Sequence, residues 1–275
     1  MPTLGAPPES LWHSAGATAH AVLMLDYDGT LAPFHENPSK ACPYPGIEPL
    51  LNDIGALGGD RLVIVSGRAL DDLQALLKLQ PAIEWWGSHG RERQHPNGQR
   101  EIIPIAERAA RALDEAELWG DVIKPLGGLL ERKPTSVAFH WRALPESDRA
   151  RARAALVPRL DRLNGREDLF WHEFDGGLEL RVRGADKGVA VRQILVETGK
   201  SRGDPGLIAF LGDDTTDEDA FLALGDQGYS ILVRAQCRPT AARSWLRPPD
   251  ELLQFLSRWL ELRTRAQARL IGCTP

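Results

Sequence analysis

Hydrophobic positions along this chain fall into two kinds of run. Four runs are short and nearly continuous: the starts of AVLMLDYDG (from Ala21), RLVIVSGR (from Arg61), LIAFLGDD (from Leu207) and YSILVR (from Tyr229). A strand covered on both faces reads as unbroken apolar sequence, so these runs predict buried parallel strands. Between them, apolar residues recur at helical spacing, as in ALDDLQALLKL after the second run and DKGVAVRQILVETG before the third. The C-terminal DELLQFLSRWLELRTRAQARL places Leu252, Leu253, Leu256, Trp259 and Leu260 on one helical stripe, fit to pack on the sheet. Strand–helix alternation of this kind predicts a doubly wound α/β sheet.

Residues 104–183 follow a different order. PIAERAARALDEAEL and PESDRARARAALVPRLDRL have helical patterns, and each precedes a candidate hairpin. The hairpins are LLERKPTSVAFHWR and LFWHEFDGGLELRVR, the second with Gly176-Gly177 at its turn. This αββαββ order predicts a smaller α+β domain inserted at 104–183 into a core formed by 1–103 and 184–275. In the insertion Val137, Phe139 and Trp141 alternate with Ser136, Ala138, His140 and Arg142, and Leu178, Leu180 and Val182 with Glu179, Arg181 and Arg183. Each strand therefore offers one polar face while the two helices would cover the apolar one.

Composition narrows the class. A chain of 275 residues, 43% hydrophobic and 26% charged, has enough length for a substantial core. Its net charge of -5 leaves no basic excess to neutralise phosphates, so nucleic acid is not an expected partner. The three cysteines, Cys42, Cys237 and Cys273, are scattered and lack CxxC spacing, which argues against a zinc site or disulfide framework. With no signal-peptide pattern and no apolar run of membrane-spanning length, a cytoplasmic protein without a membrane partner is expected.

Three of the predicted strands end in reactive groups: Asp26 and Asp28, Ser66-Gly67-Arg68, and Asp213-Asp214. In an open parallel sheet, ligands bind outside the carboxyl ends of the strands. Asp26 and Asp28 are two apart, so in extended geometry their side chains leave the same face. Two close carboxylates repel unless a cation lies between them. Magnesium, a hard ion commonly shared with phosphate, is the natural candidate.

The segments DYDGT, VSGR, DKG and GDDTTDED resemble, in order, the four motifs of the haloacid dehalogenase (HAD) superfamily of aspartate-nucleophile phosphatases. Together with WGSHGRE, LERKPTSVAFHWR and ELRVRGADKG, they are similar to segments of its trehalose-6-phosphate phosphatase family. The resemblance implies a HAD-like, Rossmann-like core with the insertion as a cap that closes over the site. It implies hydrolysis of a sugar phosphate, trehalose 6-phosphate, through an aspartyl-phosphate, with Asp26 as nucleophile and Asp28 as acid and base. Magnesium would be held by Asp26, the Asp28 carbonyl and Asp213. Ser66, Gly67 and Lys187 would bind the phosphoryl group, with Asp217, and more weakly Asp214, orienting the lysine or metal waters.

In the cap, Glu131, Lys133, Arg142 and Glu179 match sugar-binding positions, and His140 and Arg181 complete the polar group. Val182 departs from the proline usual in the family. Another sugar phosphate, such as a glycosylglycerol phosphate, is the alternative substrate. A receiver-like signalling domain is a further alternative, but it would have no use for Asp28 as acid and base or for a large cap. The nearby His89 reads as a loop hydrogen-bonder, and Trp85, Trp86 and Trp171 read as core. A monomer acting on a small molecule is expected.

Overall fold

The first apolar run forms strand β1 (Ala21–Leu25), every residue of which is buried. The structure, a computed structural model, describes residues 4–102, 104–165, 169–174, 176–184, 186–202, 206–270 and 272. The other early strands are β2 (Arg61–Val65), β3 (Glu84–Gly87), β4 (Glu92–Gln94) and β5 (Arg100–Ile102). Then come β6 (Leu129–Lys133), β7 (Ser136–His140), β8 (Leu169–Phe174) and β9 (Gly177–Val182). The last three are β10 (Leu207–Gly212), β11 (Tyr229–Val233) and β12 (Ser244–Leu246). By internal contacts the described chain divides into two units, residues 1–101 with 186–275, and residues 102–185.

Among the described residues, eight strands of the first unit and its margin form one sheet in the order β12-β11-β10-β1-β2-β3-β4-β5. Successive side chains of a strand point to opposite faces, and β1 shows the consequence. Ala21, Leu23 and Leu25 enter one apolar cluster with Leu62, Ile64, Ala209 and Leu211. Val22 and Met24 enter another with Val63, Val65, Ile208 and Phe210. Helices Glu9–Ala17, Ile47–Gly55, Leu70–Leu76 and Asp250–Leu270 contribute to the first cluster. Helices Lys187–Arg202 and Glu218–Leu224 contribute to the second. Trp85 and Trp86 divide between the same two clusters, as core residues.

Strand β1 pairs in parallel with β2 on one side and β10 on the other, with Leu25 beside both Ile64 and Leu211. The strand order thus runs outward in both directions from β1, and the residues that follow these parallel strands share one edge. The short strands β3, β4, β5 and β12 escape the apolar-run criterion. Strand β3 carries the buried Glu84, and β5 is exposed throughout.

In the second unit, β6-β7-β9-β8 form an antiparallel sheet. One face packs Val137, Phe139, Leu178 and Leu180 against Leu113 of helix Glu107–Glu117 and Leu156 and Leu160 of helix Glu146–Leu163. Trp171 lies partly buried against that core, its Nε1 donating to Asp161. The opposite face carries cross-strand rows. Glu131 aligns with Ala138, Glu179 and His172, and Lys133 with Ser136, Arg181 and Phe170.

Cys42 and Cys237 are free thiols, and Cys273 lies outside the described residues. No helix among the described residues is long and apolar enough to cross a membrane.

Two charged networks tie elements of the first unit together. The Arg263 guanidinium, on the C-terminal helix, is fully buried and meets both oxygens of Asp60 at 2.7 and 2.8 Å. It also donates to the carbonyls of Ala15, Thr18 and Ala19, so each of its five donors has an acceptor. In the second network, Glu84 accepts from Arg61, Trp86 and Arg93. Both arginines reach on to Glu197 of helix Lys187–Arg202, at 2.7 to 2.8 Å.

Burial alone would raise the Glu197 pKa, but hydrogen bonds from Arg93, Gln193 and Arg61 bring it from the ordinary 4.5 down to about 2. A depressed folded-state value means stability that is full above the unfolded pKa and lost as pH falls through the folded one. Thermal melts should therefore find Glu197→Gln less stable than the parent at neutral pH. The two curves should converge between about pH 4.5 and pH 2.

Candidate active site

Asp26 directly follows β1 and is tied to the sheet by its amide, which donates to the Leu211 carbonyl at 2.9 Å. The chain then turns sharply: Leu31 and Ala32 both donate to the Tyr27 carbonyl, and Gly29 donates to that of Ala32. Gly29 has a φ of 83°, the left-handed region, and a Cβ there would fall inside the Asp213 carboxylate. Glycine at this position therefore does two things. It permits the turn, and it lets the backbone after β1 approach the acid that follows β10.

Asp26 is buried and both of its oxygens are engaged. Oδ2 accepts from the Thr30 hydroxyl at 3.1 Å, and Oδ1 from the Lys187 ammonium at 2.5 Å. Lys187 opens its helix and is itself buried, and it donates also to Asp217 Oδ1 at 2.7 Å. The second oxygen of Asp217 accepts the backbone amides of Asp213 and Asp214, each at 3.0 Å. Asp217 thus joins the lysine to the loop that follows β10. Asp214 points elsewhere, capping the short helical turn Thr215–Asp217 by accepting from the Thr215 amide.

Asp26, Asp213 and Asp217 offer carboxylate oxygens that all lie within 4.8 Å of one another. Among the described residues, Asp213 Oδ1 is buried with no hydrogen-bond partner. Burial, reinforced by Asp217, pushes Asp26 up to about 7 against the pull of Lys187. Burial and then Asp26 likewise push Asp213 well above the carboxylate range. Burial would favour the neutral amine at Lys187, yet Asp217 and Asp26 outweigh it and hold the ammonium charged. One buried ammonium, with the partly exposed Arg234 guanidinium 3.8 Å from Asp213, faces three buried carboxylates, an imbalance that a further cation relieves. The unused Asp213 oxygen and the all-oxygen donor set fit a hard metal ion.

Ser66 and Gly67 follow β2 at the same sheet edge. The Ser66 hydroxyl accepts from the Arg68 amide at 3.1 Å, and its carbonyl accepts from His89 at 3.1 Å. Asp28 lies farther out, its side chain 27% exposed, in a two-point pair with Arg68. Arg68 was legible only as the last letter of VSGR, with no role attached to it.

In the second unit, Glu131, Lys133, His140 and Glu179 form one network. His140 meets Glu131 at 2.8 Å, while Lys133 bridges Glu131 at 3.5 Å and Glu179 at 3.4 Å. Ser136 donates to Glu179 at 2.7 Å, a contact with no local signal beyond strand alternation. Arg181 stacks on Phe170, 4.8 Å from its ring centroid. Arg142 lies just past β7 against the Gly176 turn, where a Cβ would meet its Nε at 2.8 Å.

A family model for trehalose-phosphatase matches residues 24–249. The chain belongs to the trehalose-phosphatase family. It is 30% identical over 265 residues to trehalose-phosphate phosphatase B of Arabidopsis thaliana, covering 87% of this chain and 66% of that protein. It is 34% identical over 247 residues to trehalose-phosphate phosphatase of Mycobacterium marinum, covering 86% of this chain and 60% of that protein. The chain therefore spans somewhat under two thirds of the length of these two family members. Its fold is similar to that of the C. albicans trehalose-6-phosphate phosphatase C-terminal domain. The TM-score is 0.78 at 20% identity, over 94% of this chain and 98% of that one. A haloacid dehalogenase-like hydrolase from Bacteroides thetaiotaomicron shares the fold with a TM-score of 0.59 at 16% identity, over 87% of this chain and 99% of that one. The fold that carries the carboxylate cluster is thus one shared with a haloacid dehalogenase-like hydrolase.

Gly29→Ala should displace the Asp213 carboxylate and strain a left-handed turn, a cost of about 1–2 kcal/mol for the turn alone. Urea unfolding without added metal is expected to show a loss of stability of about that size or more.

Proposed function

We propose that this chain is a magnesium-dependent phosphatase that hydrolyses trehalose 6-phosphate to trehalose and phosphate. The observation that carries this reading is the buried Asp26–Lys187–Asp217 chain beside Asp213, in a member of the trehalose-phosphatase family. Asp26 is the nucleophile: one of its oxygens attacks phosphorus to form an aspartyl-phosphate. Asp28 gives its proton to the departing sugar oxygen, then takes one from the water that hydrolyses the intermediate. Lys187, the Ser66 hydroxyl and the Gly67 amide bind the phosphoryl oxygens. Positioning and fixed positive charge account for most of the acceleration of such transfers.

Asp26, Asp213 and the Asp28 carbonyl would hold Mg2+, which when bound neutralises charge on the transferring group. Asp217 keeps Lys187 and the loop amides in place, and Asp214 serves the loop as a cap. Glu131, Lys133, His140, Arg142, Glu179 and Arg181 of the inserted unit supply donors and acceptors for sugar hydroxyls. That pairing of a phosphoryl site with a sugar-binding sheet is the division expected of a substrate-specific phosphatase, with the second unit as its cap.

Phosphate release from a panel of sugar phosphates tests the reading. Trehalose 6-phosphate with magnesium should be the best substrate, chelation should stop turnover, and Asp26→Asn should fall to the level of a blank while keeping its fold. Preference for a glycosylglycerol phosphate would move the substrate assignment and leave the chemistry standing. Near-normal turnover by the Asp26 variant would remove the mechanism.

A separate assay addresses the inserted unit. Glu131→Ala removes the carboxylate that His140 meets and leaves Lys133 with Glu179, and an unmatched polar group costs about 1–3 kcal/mol. Turnover of trehalose 6-phosphate should drop roughly 5- to 150-fold, while a small aryl phosphate should change far less.

A further inference from the structure

We propose that Arg68 is a positioning residue for Asp28, and that the turn at Ser88–His89 braces Arg68 for this task. The inference rests on the reading of Asp28 as proton donor and acceptor. Its first support is the contact itself. Arg68 Nε donates to Asp28 Oδ2 and Nη2 to Oδ1, both at 2.6 Å. A planar guanidinium meeting a carboxylate at two points fixes direction as well as distance, which a lysine cannot do. Arg68 is only 7% exposed, and its guanidinium lies 5.7 Å from the Tyr27 ring centroid.

The second support is independent of that contact and concerns the backbone. The amide of Ser88 donates to the Arg68 carbonyl at 2.7 Å, and that of His89 to the Ser66 carbonyl at 3.1 Å. Ser88 and His89 have φ of 48° and 54°, two consecutive buried non-glycine residues in the left-handed region. Such strain persists only where the surroundings over-determine it, and it gathers at functional sites. Two glycines permit the close approach: a Cβ on Gly87 would meet the Arg68 carbonyl at 2.9 Å, and one on Gly67 would meet His89 Nε2 at 2.6 Å. A plain connection between β3 and β4 requires none of this.

Asp28 takes part in both half-reactions. In the first, an Asp26 oxygen bonds to phosphorus, the bond from phosphorus to the sugar oxygen breaks, and that oxygen takes the proton of Asp28. In the second, water bonds to phosphorus and gives its proton to Asp28, while the bond to Asp26 breaks and its electron pair returns to the carboxylate. Arg68 moves no proton. It occupies two of the roughly four acceptor sites of the Asp28 carboxylate and leaves the others free for the proton.

The test compares Arg68→Ala, Arg68→Lys, Asp28→Asn and the double variant Arg68→Ala/Asp28→Asn in first-turnover release of the leaving group. Trehalose 6-phosphate needs a proton on its departing oxygen, whereas 2,4-dinitrophenyl phosphate does not. Arg68→Ala is expected to slow the sugar phosphate by about 10²-fold or more and the aryl phosphate by less than about tenfold. Arg68→Lys should recover part of that loss, and the double variant should be no slower than Asp28→Asn. Equal slowing of both substrates with a raised KM would mean that Arg68 holds the phosphoryl group, and would overturn the proposal. So would additive losses in the double variant. If Asp28→Asn itself fails to distinguish the substrates, the role given to Asp28 falls and the role of Arg68 falls with it.

Discussion

A buried ammonium shared between two buried carboxylates organises this molecule. Lys187 lies 2.5 Å from Asp26 and 2.7 Å from Asp217, and all three are withdrawn from water. Each charge would be costly alone in that setting, and breaking such a pair leaves the remaining ion uncompensated. The contact ties the end of β1 to the first turn of a helix and to the loop after β10. Asp217 extends the tie by receiving the amides of Asp213 and Asp214, so the loop that presents Asp213 is held from within.

An ammonium can hold that place only if its helix cannot slide. Glu197 lies ten residues on, about 15 Å along the same helix. There Arg61 and Arg93 clamp it to Glu84 of the sheet. The helix is thus fixed to the sheet by charge at both ends and by Ala190, Val191 and Ile194 between them. A network far from the chemistry in sequence sets the position of the group nearest to it. The Arg263 guanidinium does similar work at the other end of the chain, joining the C-terminal helix through Asp60 to the start of β2 and through the Ala15 and Thr18 carbonyls to the residues before β1.

The inserted unit follows a different logic. Its sheet puts one apolar face against two helices and leaves the other to polar rows that satisfy one another across strands. Because β7 pairs with both β6 and β9, Glu131 and Glu179 flank the small Ala138, which leaves room for Lys133 to reach both acids. The resulting groups pair with one another across the strands.

The sequence by itself determined the architecture wherever burial is continuous or strictly periodic. The runs that became β1, β2, β10 and β11, the stripe of Leu252, Leu256 and Trp259, and the alternation of Val137 and Phe139 with polar neighbours all follow from local spacing. It also determined which strands end in acids, because strand ends are local. Strands β3 to β5 and β12 were not legible, since they are short and owe their pairing to neighbours rather than to their own apolar content. That Asp217 faces Lys187 while Asp214 turns to cap was implied by the family resemblance and not by local spacing, since both stand in one acidic run. Tertiary structure alone decided that Arg68 would close on Asp28 and that Glu84 would be buried beneath two arginines. Lys187 and Asp26 are 161 positions apart. No pattern within a few turns of helix or strand encodes a contact of that range, because it depends on the register of whole elements.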